Sequence, residues 1–425
     1  MSLNNRLLTG QAVILAAGKG IRCQPLTKTR PKPLLKVLDK TILGHNLEQL
    51  NNLVKEAILV VGYQAEEIKK FFGNRYKNLK IKYVLQDSQL GTGDAAKKAF
   101  SLIKDRFLLL NGDDVYDRED IKKCLEKYPS ISLSQVKDSS HFGLVSCSKN
   151  LVKGIIEKPE KATHNLVNTG LYFLPKSIFN FKIKKSPRGE YEFTDYINQF
   201  AKKEKPLWVL AKNWHALSCS WHLLEVNDFF LSKEKTAKKG KIEKNCQIKG
   251  KVIIEKGALI KSGSYLEGPI FIGKDSQVGP NCYVRGPVSI GSCCFIGQAV
   301  EVKNSIIGDN SKISHLSFVG DSIIGENCNL GAGTIIANLR FDQKTIKVMV
   351  KGKLIDTQRE KFGAILGDNV KTGINVSIMP GIIIGQNAVI GPNSLVTENV
   401  KDDTIAFVNQ DSKKIKRAGK NPKNN

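Results

Sequence analysis

Between residues 242 and 302 an aliphatic side chain returns at every sixth position, at 242, 248, 254, 260, 266, 272, 278, 284, 290, 296 and 302. The register resumes one residue early at 307, 313 and 319, shifts again to 324, 330 and 336, and returns at Leu366, Ile378, Ile384, Ile390 and Val396, with Thr372 in phase but polar. Glycine often follows the aliphatic position, as in Ile272-Gly273, Ile290-Gly291, Ile324-Gly325 and Ile384-Gly385. A short strand that points one aliphatic residue inward, followed by a residue that lets the chain turn, predicts a solenoid in which three hexapeptides close a triangular coil. Successive coils would hydrogen-bond at about 4.8 Å. One coil cannot bury a core, whereas the stack can. Residues 337–363 leave the phase and are expected to project as a loop.

The first half has a different rhythm. Apolar runs at 11–16, 57–61, 81–85 and 106–110 alternate with helical patterns around 43–53, 64–72 and 92–103. This is α/β order with a largely parallel sheet, whose ligands bind beyond the carboxyl ends of the strands. The change of character divides the chain into an α/β domain over 1–230, a lysine-rich connector over 231–241, the solenoid over 242–400 and a C-terminal segment over 401–425 whose polar, basic tail is expected to fray.

Composition narrows the partners. Sixty-six Lys and Arg against forty Asp and Glu give a formal charge of +26, which attracts polyanions of any kind. The lysines are scattered and no nucleic-acid module accompanies them, so phosphorylated small molecules are expected rather than a specific nucleic acid. The nine cysteines lack paired metal-ligand spacing. Cys246, Cys282, Cys294 and Cys328 share one phase of the repeat, where a small residue is wanted, and read as reduced packing residues. No apolar run approaches the length of a membrane span and the start carries no secretory pattern, so a cytoplasmic protein without membrane contact is expected.

Candidate chemistry follows the strand ends. After the first strand, Gly18 and Gly20 allow close backbone approach, and Lys19, Arg22 and Lys32 can surround triphosphate oxygens with positive charge. The loop matches neither the phosphate-binding P-loop nor the dinucleotide fingerprint. After the run 106–110, Asp113 and Asp114 stand where carboxylates can hold Mg2+ or serve as solvated turn residues.

Six segments in order then carry a resemblance: LAAGKGIRCQPLTKTRPKPLL (15–35), QDSQLGTGDAA (86–96), NGDD (111–114), IEKP (156–159), NTGLYFL (168–174) and EYEFTD (190–195). Together they resemble the sugar-1-phosphate nucleotidylyltransferases, which implies a Rossmann-like mixed sheet. By that resemblance Arg22 and Lys32 handle the nucleotide phosphates, and Gly18, Lys19, Gly20, Gln86, Gly91 and Thr92 bind the nucleotide, with Gln86 and Gly91 at the base. Asp113 holds Mg2+, and Gly143, Glu157, Asn168 and Thr169 contact the sugar phosphate with Lys158 nearby. The implied substrates are UTP or dTTP and a hexose-1-phosphate or amino-sugar-1-phosphate. The implied reaction is attack of a sugar-phosphate oxygen on the α-phosphorus with departure of pyrophosphate, driven by positioning and charge neutralisation.

Three departures from the family pattern stand out. Ile21 replaces Thr or Ser, Asp94 replaces His, and in NWHALSCSWHLLEVN (213–227) Ala216 occupies the place of an acidic metal ligand. Asp195 and Asp228 are the candidate substitutes. These departures keep open a non-catalytic or regulatory nucleotide-sugar-binding trimer, and an acetyltransferase with an inactive first domain.

The hexapeptide half resembles the left-handed β-helix acyltransferases, which implies acetyl-CoA as co-substrate and a homotrimer with the acyl-CoA site between chains. The stretch 314–348 resembles the acetyl-transfer segment of archaeal-type bifunctional enzymes that make UDP-N-acetylglucosamine. His315 matches the general base that would take a proton from the acceptor amine, and Asn338, Lys344 and Lys347 match sugar-phosphate-binding positions. Phe318 stands where those enzymes carry Tyr. A packed or surface role for His315, and a purely architectural β-helix, remain the alternatives on sequence.

Overall fold

The computed structural model describes residues 9–159 and 163–409. The expected fraying of the basic tail falls, from residue 410 on, outside the described residues.

The first half is a ten-stranded sheet. At its centre Arg106–Asn111, Thr9–Ala16, Val54–Val61 and Leu79–Leu85 run parallel in that spatial order. Their residues read as continuous apolar runs because both faces are covered. On one side Leu43 and Leu47 of helix Ile42–Leu50, Ile68 of Ala65–Phe72 and Ile121 of Arg118–Glu126 join the buried cluster. On the other, Ala95 and Ala96 of Thr92–Lys98 pack with Tyr196, Ile197 and Phe200 of Phe193–Glu204. Beyond Arg106–Asn111 the sheet becomes mixed. Leu166–Pro175 is antiparallel to it, Ser130–Gln135 is antiparallel to Leu166–Pro175, and Leu207–Leu210 is parallel to Ser130–Gln135. The parallel order expected from the apolar runs therefore holds for the central strands only, since an apolar run carries no sign of direction.

The second half is a parallel β-helix of three sheets with eight, nine and eight strands, the hexapeptide architecture of the left-handed class. Its in-phase aliphatics, among them Ile260, Val278, Ile296, Ile313 and Leu330, form one continuous buried stack. The register shifts have a simple origin. Ile272 pairs with Ile290, eighteen residues on, whereas Ile290 pairs with Ile307 and Ile307 with Ile324, each seventeen on. The lost residue is at one corner, where Asn304 and Asp321 turn the chain with positive φ. Ala258, Ser276, Cys294, Ser311 and Cys328 stack at a small-residue position, and the backbone N–H groups of Cys294 and Cys328 donate to the hydroxyls of Ser276 and Ser311. All nine cysteines are free thiols.

Residues 231–241, expected as a connector, are structured. Helix His222–Lys233 takes the beginning, and strands Ala237–Lys238 and Lys241–Ile242 already pair with the next coil. The loop 337–363 matches expectation in part: residues 339–344 are exposed, with Phe341 fully so, but the remainder does not project. It contains a hairpin, Lys347–Val350 with Lys353–Asp356, folded back onto the α/β domain of the same chain. Ile346, Val348, Val350 and Phe362 are buried in a cluster with Leu217, Trp221 and Leu224 and with Ile306, Ile323 and Ile365 of the β-helix. Burial stabilises each such side chain by about 1.5–3 kcal/mol relative to water, which a projecting loop would forgo. Arg359 pairs with Glu225 at 3.6 Å, and Gln358 Nε2 donates to Asp138 at 3.2 Å.

No helix among the described residues is long and apolar enough to cross a membrane.

Candidate functional site

A continuous cleft opens at the carboxyl ends of the parallel strands. One part is lined by Gly18, Lys32, Gln86, Gly91, Thr92 and Asp113. The adjoining part shares Lys32, Thr92 and Asp113 and adds Arg22, Gly143, Glu157, Lys158, Asn168 and Thr169. Residues from distant segments thus meet in one place because parallel strands end on one side of a sheet. Lys19 is exposed beside the cleft. Gly20 underlies it: with φ 61°, it leaves room for Lys32, whose Cβ is 2.8 Å from where a Gly20 side chain would begin.

Lys32 Nζ donates to Asp113 Oδ2 at 2.6 Å. Burial works against the ammonium, but Asp113 and Asp114 beside it hold its pKa above the usual value. Asp114 has a different environment. It is buried, with Oδ2 accepting from Asn111 Nδ2 at 3.2 Å and Oδ1 from the Leu217 backbone at 3.1 Å. Burial and then the Asp113 charge push its pKa up to about 6, against the pull of Lys32. Asp114 therefore ties the strand end to the segment carrying Ala216; both aspartates line the cleft, Asp113 as the more exposed of the two.

In the part lined by Gly91, Gln86 is buried and its Nε2 donates to Asp94 Oδ2 at 2.8 Å and to the Gly91 carbonyl at 3.2 Å. Both neighbours are acceptors, so the amide is oriented with its nitrogen toward them. Gly91 has φ 113°, and a side chain there would meet the Tyr191 carbonyl oxygen at 2.4 Å. That close approach brings Glu190 and Glu192 to the cleft wall. In the adjoining part, Thr169 Oγ donates to the Ser132 carbonyl at 3.0 Å and Asn168 Nδ2 to the Tyr172 hydroxyl at 2.5 Å. Burial raises the Glu157 pKa, and Lys158 Nζ lies 3.9 Å from its carboxylate.

Asp195 and Asp228 do not line this cleft, and Ala216 does. Sequence reasoning also missed residues the cleft contains. Asn111 heads the NGDD segment and Glu190 and Glu192 stand on the cleft wall, whereas His222, within 213–227, lies outside the lining. His222 Nδ1 accepts from the Ser218 and Cys219 backbone N–H groups at 3.1 and 3.2 Å. Burial, then the Lys32 and Arg22 charges, lower its pKa to about 4.

On the β-helix, His315 ends strand Lys312–His315 and is exposed. Its backbone carbonyl accepts from Ser317 Oγ at 2.7 Å. Asn338 stands at the other edge of the next face, where Nδ2 donates to Asp321 at 2.5 Å. Asp321 is buried and also accepts from Lys303 Nζ at 3.1 Å and Asn304 Nδ2 at 2.6 Å. It was missed because a corner aspartate looks like turn chemistry. Lys344 and Lys347 are exposed. The four residues line neither part of the cleft, and within one chain His315 and Asn338 occupy separate edges of a face.

Residues 11–228 match the family model for nucleotidyl transferases, 266–379 that for the GMPPB C-terminal domain, and 363–398 that for bacterial transferase hexapeptides (six repeats). The chain is 46% identical over 402 residues to the bifunctional protein GlmU of Methanococcus maripaludis, covering 93% of this chain and 97% of that protein. The chain belongs to the GlmU-type bifunctional family. It is also 41% identical to the bifunctional sugar-1-phosphate nucleotidylyltransferase/acetyltransferase of Sulfurisphaera tokodaii, over 92% of this chain and 98% of that protein. Family membership makes the two halves the two transferases of one enzyme.

No group of three or more His, Cys, Asp or Glu capable of holding a metal occurs among the described residues. Mg2+ does not require one, since it commonly takes one or two carboxylates, substrate phosphates and water. Asp113, cleft-facing and beside Lys32, fits that pattern.

Proposed function

We propose that this chain makes UDP-N-acetylglucosamine or a related nucleotide sugar, by acetyl transfer from acetyl-CoA to an amino-sugar-1-phosphate and nucleotidylyl transfer from UTP or dTTP to the acetylated sugar-1-phosphate. The observation that carries the first domain's role is the Lys32–Asp113 pair in the cleft that also holds Arg22, Gln86, Glu157 and Asn168.

In nucleotidylyl transfer an oxygen of the sugar phosphate attacks the α-phosphorus, the bond to the β-phosphate bridging oxygen breaks, and that oxygen leaves with pyrophosphate. The attacking oxygen is already anionic near neutral pH, so no side chain has to take a proton. Lys32 and Arg22 supply positive charge for the triphosphate, with Lys32 also compensating Asp113. Asp113 would hold Mg2+, which supplies further charge neutralisation at the phosphates. Gln86, its amide nitrogen committed to Asp94 and Gly91, has its carbonyl oxygen left to accept from a base. Uracil and thymine each offer an N3–H donor to such an acceptor, so the carbonyl oxygen suits UTP and dTTP alike. Asn168, Thr169, Gly143 and Glu157, with Lys158 at the rim, hold the sugar phosphate.

In acetyl transfer, His315 takes a proton from the acceptor amine as its nitrogen attacks the thioester carbonyl, and the coenzyme A thiolate leaves. Asn338, Lys344 and Lys347 bind the sugar phosphate. The separation of His315 from Asn338 within one chain supports a site completed by a neighbouring copy, and hence a homotrimer. The corresponding division is an α/β unit over 1–230 and an acyltransferase unit over 242–400. Purified protein with Mg2+, N-acetylglucosamine-1-phosphate and UTP or dTTP should release pyrophosphate; none with any nucleoside triphosphate or sugar phosphate would reject the first half.

A further inference from the structure

The segment 26–36 has two charged sides. Lys32 points to Asp113 in the cleft, whereas Lys28, Arg30 and Lys36 point the opposite way, to the β-helix. Their partners are in register on its coils: Asp309, Glu326, Asp368 and Asp402, with Gln386 interposed, follow the paired core positions Ile307, Ile324, Leu366 and Ile384 and the Val400 bridge. Lys36 Nζ donates to Asp309 Oδ2 at 2.5 Å, and Arg30 NH2 and Thr29 Oγ to Asp368 Oδ2 at 2.5 Å. Arg30 also pairs with Glu326, and Lys28 with Asp402.

The three aspartates are each held by the β-helix itself. Oδ1 of Asp309, Asp368 and Asp402 accepts the backbone N–H of Ser292, Glu326 and Gln386 respectively, each the equivalent residue of the preceding coil. That bond fixes each carboxylate on the coil and leaves Oδ2 for the basic segment. Asp368 is 5% exposed, so its pairing with Arg30 is little screened by solvent.

We propose that Asp309, Glu326, Asp368 and Asp402 are positioning residues for nucleotidylyl transfer: the β-helix sets the 26–36 segment, and through it Lys32 and Arg22, in the cleft. The inference rests on the nucleotidylyl-transfer reading of that cleft. The mechanical link is short. Lys32 is two residues from Arg30, the Thr27 hydroxyl donates to the Gly20 carbonyl at 2.9 Å, and Gly20 packs against the Lys32 Cβ beside Arg22. Charge placement sets the rate in a reaction of this kind, and a shift of about 1 Å costs up to about 100-fold. The second domain thereby contributes to the first domain's reaction without touching its substrates.

The test uses the full chain with Asp368→Asn and Glu326→Gln combined, and separately Asp309→Asn and Asp309→Glu. The double variant should release pyrophosphate from UTP with kcat/KM lowered about 10- to 100-fold, while coenzyme A release in the acetyl-transfer assay stays at the wild-type rate. Asp309→Asn should raise the KM for UTP. Asp309→Glu should recover much of it, because the ladder already carries a glutamate at 326. An active wild type whose double variant and Asp309→Asn variant keep kcat and KM for UTP would overturn the proposal. Parallel loss of both activities in the double variant would mark a damaged coil, and the Asp309 pair then decides. A wild type that releases no pyrophosphate contradicts the nucleotidylyl-transfer reading itself.

Discussion

Lys32 Nζ lies 2.6 Å from Asp113 Oδ2, and this ion pair joins two segments some eighty residues apart at the mouth of a parallel sheet. The Lys32 side chain is 8% exposed and that of Asp113 41%. A buried cation thus stands against a carboxylate that still reaches solvent, so one group can turn to a phosphate and the other to a cation once substrate enters. Asp113→Ala should abolish Mg2+-dependent pyrophosphate release and leave acetyl transfer intact. Pyrophosphate release by that variant at the wild-type rate would remove Asp113 from the metal role.

Ala216 lines the same cleft, at the place where the resemblance puts an acidic metal ligand. Ala216→Asp should add a carboxylate within the site, and the Mg2+ concentration for half-maximal pyrophosphate release should fall at least several-fold. An unchanged Mg2+ dependence would show that Ala216 does not mark the missing ligand position.

His222 makes a prediction about acid. Its pKa is about 4 in the folded chain, against about 6.5 for free imidazole. The folded state favours the neutral ring, whose Nδ1 accepts two backbone N–H groups. The stabilisation is complete above pH 6.5 and is lost as pH falls through 4, at most roughly 3 kcal/mol. His222→Gln keeps a neutral acceptor at every pH, so its unfolding free energy should decline less steeply between pH 6.5 and 4. His45, also pushed by burial to about 4, retains its own share of the slope. Superimposable pH profiles in wild type and variant would contradict the assignment.

Much of this molecule was legible in its sequence, and the reasons are periodic. The six-residue phase of Ile254, Ile272 and Ile290 gave the coils because each in-phase residue meets the same core environment. The glycine and acidic residues after apolar runs gave the cleft because parallel strands expose their ends together. The fold-back of the hairpin was missed, although Ile346, Val348 and Val350 alternate with Lys347, Met349 and Lys351 around a Lys351-Gly352 turn. The hexapeptide phase on either side masks that period of two. The acidic ladder was illegible for another reason. The insertion separates Glu326 from Asp368 in sequence while leaving them on adjacent coils.

His315→Ala should lower coenzyme A release by roughly 100-fold or more, leaving pyrophosphate release from UTP with N-acetylglucosamine-1-phosphate as acceptor, and the oligomer, unchanged. Light scattering should give three times the 47.0 kDa chain. A monodisperse single-chain species would remove the basis for an interchain acetyl-transfer site.

The most direct measurement follows a labelled acetyl group through both domains. Full-length protein is supplied with labelled acetyl-CoA, glucosamine-1-phosphate or galactosamine-1-phosphate, Mg2+ and UTP or dTTP. Labelled nucleotide sugar should form with release of both coenzyme A and pyrophosphate, and in His315→Ala the label should stay on acetyl-CoA. Label that never enters a nucleotide sugar with either acceptor and either triphosphate would contradict the bifunctional account.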